Sequence, residues 1–221
     1  MTLKEHLTLL ANVLRKYDYE ASSKSTKMRG SMMSYLFNTE LSMIDKVIDG
    51  SIEYLTSHAS LVPDGMFQAY ASLQKAYFLA AESIGQNAFR DCTTLTTIHF
   101  PMVTTVGSYA FQNCTALTRA NMPKVTTVGN YAFRGCTSLT YVQLESATEI
   151  NVYAFNGCTN LNTLIVGTRN GNVLCRLGNA NALTNTKIAT GNGRILVPSS
   201  MLSAYKAASG WSTYADKIYA Y

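Results

Sequence analysis

The chain has 221 residues, of which 47% are hydrophobic and 14% are charged, and its formal net charge is +5. This composition excludes a disordered chain, and the absence of any apolar stretch of ~18 residues excludes a membrane-spanning helix. The positive excess falls within residues 167–221 rather than along the whole chain, which argues against nucleic-acid binding.

Residues 1–58 are predicted to form a helical segment that caps or attaches the rest of the protein. Leucines recur at helical spacing over residues 3–14, and apolar stripes predict further helices over 32–37 and 41–48. The segment either packs on the following array or serves as an oligomerisation or docking module. Its start lacks the apolar core and cleavage site of a secretory signal, so we expect none. A strand is predicted within residues 50–58.

A 22-residue repeat occupies the middle of the chain, preceded by a weaker copy over residues 62–78. In each copy the segment L-x-x-φ-x-φ, where φ is apolar, predicts a short strand, because apolar residues alternate there. Gly85, Gly107 and Gly129 are expected to supply a sharp bend. The four clear copies contain "ESIGQNAFRDCTTL" (82–95), "TTVGSYAFQNCTAL" (104–117), "TTVGNYAFRGCTSL" (126–139) and "TEINVYAFNGCTNL" (148–161).

Stacked repeats are predicted over residues 59–166, in about five coils. One repeat cannot bury its own apolar side, whereas stacked neighbours form a continuous core and a parallel sheet. Equivalent residues then line up as ladders. We expect reduced, buried thiols at Cys92, Cys114, Cys136 and Cys158. A second ladder, expected to serve packing rather than contact, consists of Tyr109, Tyr131 and Tyr153.

The repeat fails after Val166, and residues 167–221 are predicted to form a C-terminal capping module. A stretch rich in Asn and Gly predicts turns, "RILVP" (194–198) predicts a strand, and "SSMLSAYKAASG" (199–210) predicts a helix with a Ser cap and a Gly stop. Trp211 is the single Trp, and we expect it to seal the end of the core. Stacking on a sugar is the alternative.

The x positions of L-x-x-φ-x-φ are predicted to point out of the sheet and to form a candidate binding face. They change from copy to copy while the apolar skeleton does not, which indicates a surface released from packing. Tyr77, Arg119 and Tyr141 are residue types favoured at binding hot spots. A merely solvated sheet is the alternative. The candidate face comprises Gln74, Lys75, Tyr77, Thr97, His99, Arg119, Asn121, Tyr141, Gln143, Thr163 and Ile165.

The sequence contains no recognisable catalytic or metal-binding pattern. His6, His58 and His99 have neither a nucleophile nor a zinc-protease context, and the cysteines lack zinc-ligand spacing. Glu145 and Glu149 lie on a predicted turn of the array rather than across a cleft, which argues against a glycosidase pair. We therefore expect no enzymatic activity, no cofactor and no metal.

The motif I-G-x-x-A-F-x-x-C-x-x-L-x-x-φ-x-φ-P resembles the BspA-type (Treponema pallidum-type) leucine-rich repeat over residues 62–166. Pattern and resemblance together predict an α+β protein, a parallel β-solenoid of leucine-rich repeats with a helical N-terminal segment and a strand-plus-helix C-terminal cap. The flanking segments, among them "IDGSIEYL" before the array, resemble BspA-like proteins of phages and prophages of gut Firmicutes. The last clear copy departs from the motif, because Asn151 replaces the bend glycine.

This resemblance implies a virion surface protein at the tail, the baseplate or another surface position. The array would bind a host cell-surface protein or glycan, the N-terminal segment would bind other virion proteins, and a homo-oligomer is left open. The alternative is a secreted or cell-surface bacterial adhesin of the same repeat type. An adhesin requires export whereas a virion protein is released by lysis, so the expected lack of a signal favours the virion.

Overall fold

The computed structural model describes residues 54–57, 59–167 and 173–221. The helices predicted over 3–14, 32–37 and 41–48 lie outside the described residues. In the described part, the chain winds into coils that each contribute a long strand and a short strand. The long strands are β1 (Tyr54–Ser57), β3 (Lys75–Phe78), β5 (Thr97–His99), β7 (Arg119–Asn121), β9 (Tyr141–Leu144), β11 (Thr163–Val166) and β13 (Arg194–Val197). The short strands are β2 (Leu61–Val62), β4 (Ser83–Ile84), β6 (Thr105–Val106), β8 (Thr127–Val128), β10 (Glu149–Ile150) and β12 (Arg176–Leu177).

All strand pairs are parallel, as the predicted stacking of repeats requires. The six short strands form one sheet, and the long strands form a three-stranded sheet, β1-β3-β5, and a five-stranded sheet that begins at β7 and runs through β9, β11 and β13. A final strand, β14 (Ile218–Ala220), pairs with β13 and completes the five-stranded sheet. The strand predicted within 50–58 is confirmed as β1, which pairs with β3 from Tyr54 opposite Lys75 to Ser57 opposite Phe78.

The core lies between the long-strand and short-strand sides of the coils. Phe89, Phe111, Phe133 and Phe155 are completely buried, and the rings of successive coils stack 5.1–5.2 Å apart. Stacking at this distance follows from the strand spacing of about 4.8 Å, because identical side chains repeat with the backbone. The predicted ladder of Phe residues is therefore the centre of the hydrophobic core.

The repeated glycines have a different role from the predicted bend. Gly85, Gly107 and Gly129 do not adopt positive φ. A Cβ on Gly107 would instead lie 2.7–2.8 Å from the backbone of Gly85 and Gln86 in the preceding coil. These positions require glycine because adjacent coils approach closely there. In the last clear copy, where Asn151 replaces this glycine, the Asn151 side-chain amide donates to Val128 O at 3.1 Å.

Left-handed backbone occurs at two other positions of each coil, which the repeat pattern did not indicate. One series passes through Ala69, Asp91, Asn113, Gly135 and Gly157, with φ between 57° and 74°. The other passes through Gly65, Asn87, Tyr109, Tyr131 and Tyr153, with φ between 57° and 61°. The turn of each coil therefore requires this conformation, and glycine is only one of the residues used.

The coils continue past Val166, where the sequence repeat fails. Glu149 of β10 pairs with Arg176 of β12, and Thr163 of β11 pairs with Arg194 of β13, although neither pair is 22 residues apart. The stretch predicted as turns contains β12 and the 3-10 helix η1 (Ala180–Leu183). A helix α1 (Lys187–Thr190) follows, and its Thr186 hydroxyl accepts a hydrogen bond from Ala189 N. The inserted residues thus enlarge one coil without breaking the stack.

Residues 194–220 form a strand, short helices and a final strand. The strand expected over 194–198 is confirmed as β13. The expected helix over 199–210 consists of the 3-10 helix η2 (Ser199–Met201) and helix α2 (Leu202–Ala207), and Gly210 follows three residues later at φ +80°. The expected Ser cap is wrong, because Pro198 precedes η2, Met201 precedes α2, and neither makes a side-chain capping hydrogen bond. A further 3-10 helix, η3 (Ser212–Lys217), leads into β14.

Trp211 seals the end of the core rather than facing solvent. Its side chain is completely buried, and its Nε1 donates to Cys175 O at 2.6 Å. The ring packs edge-on against Tyr205 at 5.4 Å, and the Tyr205 hydroxyl accepts a hydrogen bond from Cys175 N at 3.0 Å. The two aromatic residues thus satisfy both backbone groups of Cys175, and the predicted sealing role is confirmed.

Candidate binding face

The outward side chains of the long strands form a surface that we call the strand face. Inward and outward residues alternate along each strand: in β9, Val142 and Leu144 are completely buried while Tyr141 and Gln143 are partly exposed. Parallel pairing without offset aligns the outward residues of neighbouring strands, so that Arg119 lies beside Tyr141. The face is therefore a set of aligned side chains rather than a pocket.

Most of the predicted face residues are accessible. Arg119, Asn121 and His99 are exposed. The residues of intermediate exposure are Gln74, Lys75, Tyr77, Thr97, Tyr141, Gln143 and Ile165.

Thr163 is a correction to the predicted face, because only 8% of it is exposed. It pairs with Tyr141 on one side and with Arg194 on the other, and both have much longer side chains. Its hydroxyl donates to Asn162 Oδ1 at 3.0 Å. The alternating pattern places Thr163 correctly on the outward side, but the sizes of its cross-strand neighbours decide how much of it reaches solvent.

A chain of contacts joins the central residues of the strand face. The Arg119 guanidinium carbon lies 4.4 Å from the centre of the Tyr141 ring. The Tyr141 hydroxyl donates to Gln143 Oε1 at 2.6 Å, and Gln143 Nε2 donates to Glu145 Oε1 at 2.8 Å. A cation–π contact at an exposed site contributes about 0.5–1 kcal/mol, and the hydrogen bonds restrict the tyrosine and the glutamine. The four side chains are therefore held in place before any ligand binds.

Three further residues belong to the same surface and were missed by the repeat pattern. Arg194 and Leu196 are the outward residues of β13, opposite Thr163 and Ile165. Tyr219 of β14 pairs with Leu196 and is 51% exposed. The segment 194–198 was predicted as a strand. An insertion separates it from the array, so the spacing in the sequence does not reveal that Arg194 pairs with Thr163.

The cysteines of the array are buried thiols of low reactivity. All five cysteines are buried and free, which confirms the predicted state of the periodic thiols. Each periodic thiol donates to a phenylalanine carbonyl 25 residues earlier, for example Cys114 Sγ to Phe89 O at 3.1 Å. Burial raises the pKa of Cys92 and of Cys175 from 9.0 to about 12. A protonated, buried thiol is a poor nucleophile, so these cysteines serve packing.

The two predicted turn glutamates have separate partners. Glu145 follows β9 and accepts from Gln143, whereas Glu149 lies on β10 of the short-strand sheet and pairs with Arg176 at 3.3 Å. Across residues 54–57, 59–167 and 173–221, no cluster of three His, Cys, Asp or Glu side chains is placed to hold a metal ion. No helix in this part of the chain is long and apolar enough to cross a membrane.

The stacked parallel coils, with one long and one short strand each, define a repeat protein of the leucine-rich solenoid class. Residues 60–174 match the family described as the BspA type leucine rich repeat region, in six copies. Because the match covers just over half of the chain, the chain belongs to this family. No curated protein matches it.

Several solved structures of bacterial leucine-rich repeat proteins are similar to the chain. A T. pallidum leucine rich repeat protein is 28% identical over 48% of this chain and 52% of its own, with a TM-score of 0.46. A leucine rich cell surface protein from Faecalibacterium prausnitzii is 19% identical over 80% and 62%, with a TM-score of 0.42. A Bacteroides ovatus leucine-rich repeat protein is 24% identical over 64% and 48%, with a TM-score of 0.39. The chain spans about half to three-fifths of the length of these structures.

Proposed function

We propose that the protein is a non-enzymatic recognition protein that binds a ligand on a cell surface through the strand face. The observation that carries this proposal is the contact chain from Arg119 through Tyr141 and Gln143 to Glu145. Packing of the solenoid does not require these side chains, since the buried side of each strand already supplies the core. An exposed sheet with fixed aromatic and guanidinium groups has the composition of a binding hot spot.

Membership of the repeat family supports a binding role without identifying the ligand. Leucine-rich repeat solenoids present extended surfaces made from equivalent positions of successive coils. Here those positions differ in chemistry from coil to coil, from Lys75 and Tyr77 through Thr97 and His99 to Arg119. A repeated core with a varied surface is suited to specific recognition.

We further propose that the protein is carried on a phage virion, with its N-terminal segment bound to other virion proteins. The resemblance of the flanking segments to BspA-like proteins of phages and prophages supports this location. The alternative location is a bacterial cell surface. Membership of the repeat family is equally consistent with both locations. Immunogold labelling of purified particles and of producing cells separates the two, because only a virion protein labels particles that have been freed of cell envelope.

The binding role is tested by replacing Tyr77, Arg119 and Tyr141 with Ala in the full chain. We expect the triple variant to lose at least tenfold of its binding to intact cells from a panel of gut Firmicutes, measured by flow cytometry. Exposed substitutions usually change stability by ~0.5 kcal/mol or less, so the melting temperature should stay nearly constant. A variant with Ala at Lys124 and Arg134, which are exposed but off the strand face, is the matched control. Equal binding by all three proteins would place recognition elsewhere.

A further inference from the structure

The charged groups on the strand face are almost all cationic. Its outward strand positions include Lys75, Arg119 and Arg194, and none of the described ones is acidic. The Glu145 carboxylate lies just beyond β9 and accepts a hydrogen bond from Gln143. The face therefore presents positive charge to a partner.

Among the described residues, no carboxylate forms an ion pair with either of the two guanidinium groups at the centre of this charge. The ion pairs of the described residues involve other cations, and the contact of Arg119 is with the uncharged ring of Tyr141. Both Arg119 and Arg194 are exposed. They lie on β7 and β13, three strand intervals apart, which corresponds to about 14 Å. Two cationic side chains on strands at this separation favour a partner with more than one anionic group.

An apolar patch adjoins these charges. Ile165, Leu196 and Tyr219 lie next to one another across β11, β13 and β14 in the row beside Arg194. Tyr219 is 51% exposed, and the other two are partly exposed. Arginine and aromatic residues are enriched, and lysine, aspartate and glutamate depleted, in the buried centres of protein–protein interfaces. A neutral glycan or a nucleic-acid backbone would leave the two aliphatic side chains without a complementary surface.

We infer that the strand face binds an acidic patch on a partner protein, with carboxylates opposite Arg119 and Arg194 and an apolar side chain against Ile165, Leu196 and Tyr219. This inference rests on the proposed function and specifies its ligand. Guanidinium groups hold carboxylates in bidentate pairs, and the apolar patch supplies the desolvated centre that such pairs need. The centre of the site then lies on the last strands of the solenoid, including β13 and β14, which follow the last regular repeat.

The experiment uses the full chain and the same panel of intact cells. We expect Arg119→Gln combined with Arg194→Gln, and separately Leu196→Ala combined with Tyr219→Ala, each to reduce cell binding at least tenfold. A variant with Gln at Lys124 and Arg134 loses the same charge away from the face and should bind within twofold of the unchanged protein. Raising NaCl from 0.15 to 0.5 M should weaken binding of the unchanged protein, since exposed charges are screened.

The class of partner is tested by treating the cells before binding. Protease treatment should abolish binding, and periodate oxidation of surface glycans should not. Binding that survives protease but not periodate, or that is removed by competing DNA, would overturn the inference while leaving cell recognition intact. If the unchanged protein bound no cells at all, the proposed function itself would fail. The unchanged protein could also form a dimer on a sizing column, and the Arg119→Gln and Arg194→Gln changes could make it monomeric. That result would identify a second copy of the chain as the partner and would also overturn the inference.

Discussion

Three tyrosines of the array occupy a backbone conformation that favours glycine. Tyr109, Tyr131 and Tyr153 have φ of 58–60°, at the position that Gly65 and Asn87 fill in earlier coils. Left-handed backbone costs a residue with a side chain about 1–2 kcal/mol. The tyrosine rings stack 5.0 Å apart, and each aromatic pair contributes about 0.5–1.5 kcal/mol. Stacking between coils therefore offsets the backbone cost.

Replacing Tyr131 with Asn should consequently change stability little. Asparagine tolerates the left-handed conformation, as Asn87 does, so the lost stacking is compensated and we expect a decrease of about 1 kcal/mol or less. Phe133→Ala, two residues away, empties part of the core and should cost about 3–5 kcal/mol. Urea denaturation followed by circular dichroism measures both. Equal losses for the two variants would show that the tyrosine stack is as structural as the Phe ladder.

The buried thiols predict a loss of stability in alkali. Burial raises the pKa of Cys92 from 9.0 to about 12, so the unfolded chain releases this proton at lower pH than the folded one. The stabilisation is fully present below pH 9 and is lost as the pH rises towards 12. At pH 10.5 this cysteine alone should favour unfolding by about 2 kcal/mol relative to pH 8.

Urea midpoints at pH 8 and pH 10.5 test this expectation, with Cys92→Ala as the comparison. The variant starts from a lower stability because it loses packing, but its decrease between the two pH values should be smaller. Identical decreases in the two proteins would mean that Cys92 does not titrate on unfolding in this range.

At the level of elements, the C-terminal helices act as a lid on the last coil. Trp211 and Tyr205 together satisfy the carbonyl and the amide of Cys175, and Tyr214 donates a hydrogen bond to Ala180 O. These contacts connect α2 and η3 to the coil that contains β12. An array of coils requires such an end, because the last coil has no further neighbour to cover its core.

Changing Trp211 to Ala should therefore destabilise the whole protein by about 3–5 kcal/mol, and changing it to Phe by about 1–3 kcal/mol. Phenylalanine restores most of the packing but leaves Cys175 O without its donor. Thermal unfolding by circular dichroism is the appropriate measurement, since Trp211 is the single Trp and its fluorescence is lost in both variants. A loss below 1 kcal/mol for Trp211→Ala would show that the lid does not stabilise the solenoid.

For the molecule as a whole, β1 is an integral part of the stack. Leu55 of this strand is completely buried in the core cluster, and β1 pairs along its length with β3. Loss of β1 would uncover the edge of β3 and the first part of the Phe ladder. An uncovered edge strand promotes aggregation.

A chain that begins at Gly50 should accordingly stay folded without aggregating, whereas one that begins at Ser60 should melt at a lower temperature and aggregate. Each coil contacts mainly its neighbours, so even the shorter chain should keep its β-rich circular dichroism spectrum. Melting curves and a sizing column compare the two chains. If they behaved identically, the contribution of β1 to the end of the solenoid would be negligible.

The features that depend on local periodicity were predictable from the sequence. Alternation of period two identified the inward and outward residues of the array strands, and recurrence every 22 residues identified the ladders of Phe and Cys, because each copy repeats the same backbone path. Repetition also made the outward positions of β3 to β11 visible as one surface. The strand β13 and the helical character of 199–207 were also recognisable from the sequence, although the expected Ser cap is absent.

Features that depend on the contact between one coil and the next could not be predicted from the sequence and are seen only in the folded protein. The glycine of each repeat is required by contact with the backbone of the previous coil, which its own neighbours in sequence cannot reveal. Thr163 is buried because of the residues beside it in space, and Arg194 joins the strand face only through its register with Thr163 across an insertion. The insertion increases the number of residues between the two strands. It does not change the distance between them, because hydrogen bonds between parallel strands set that distance.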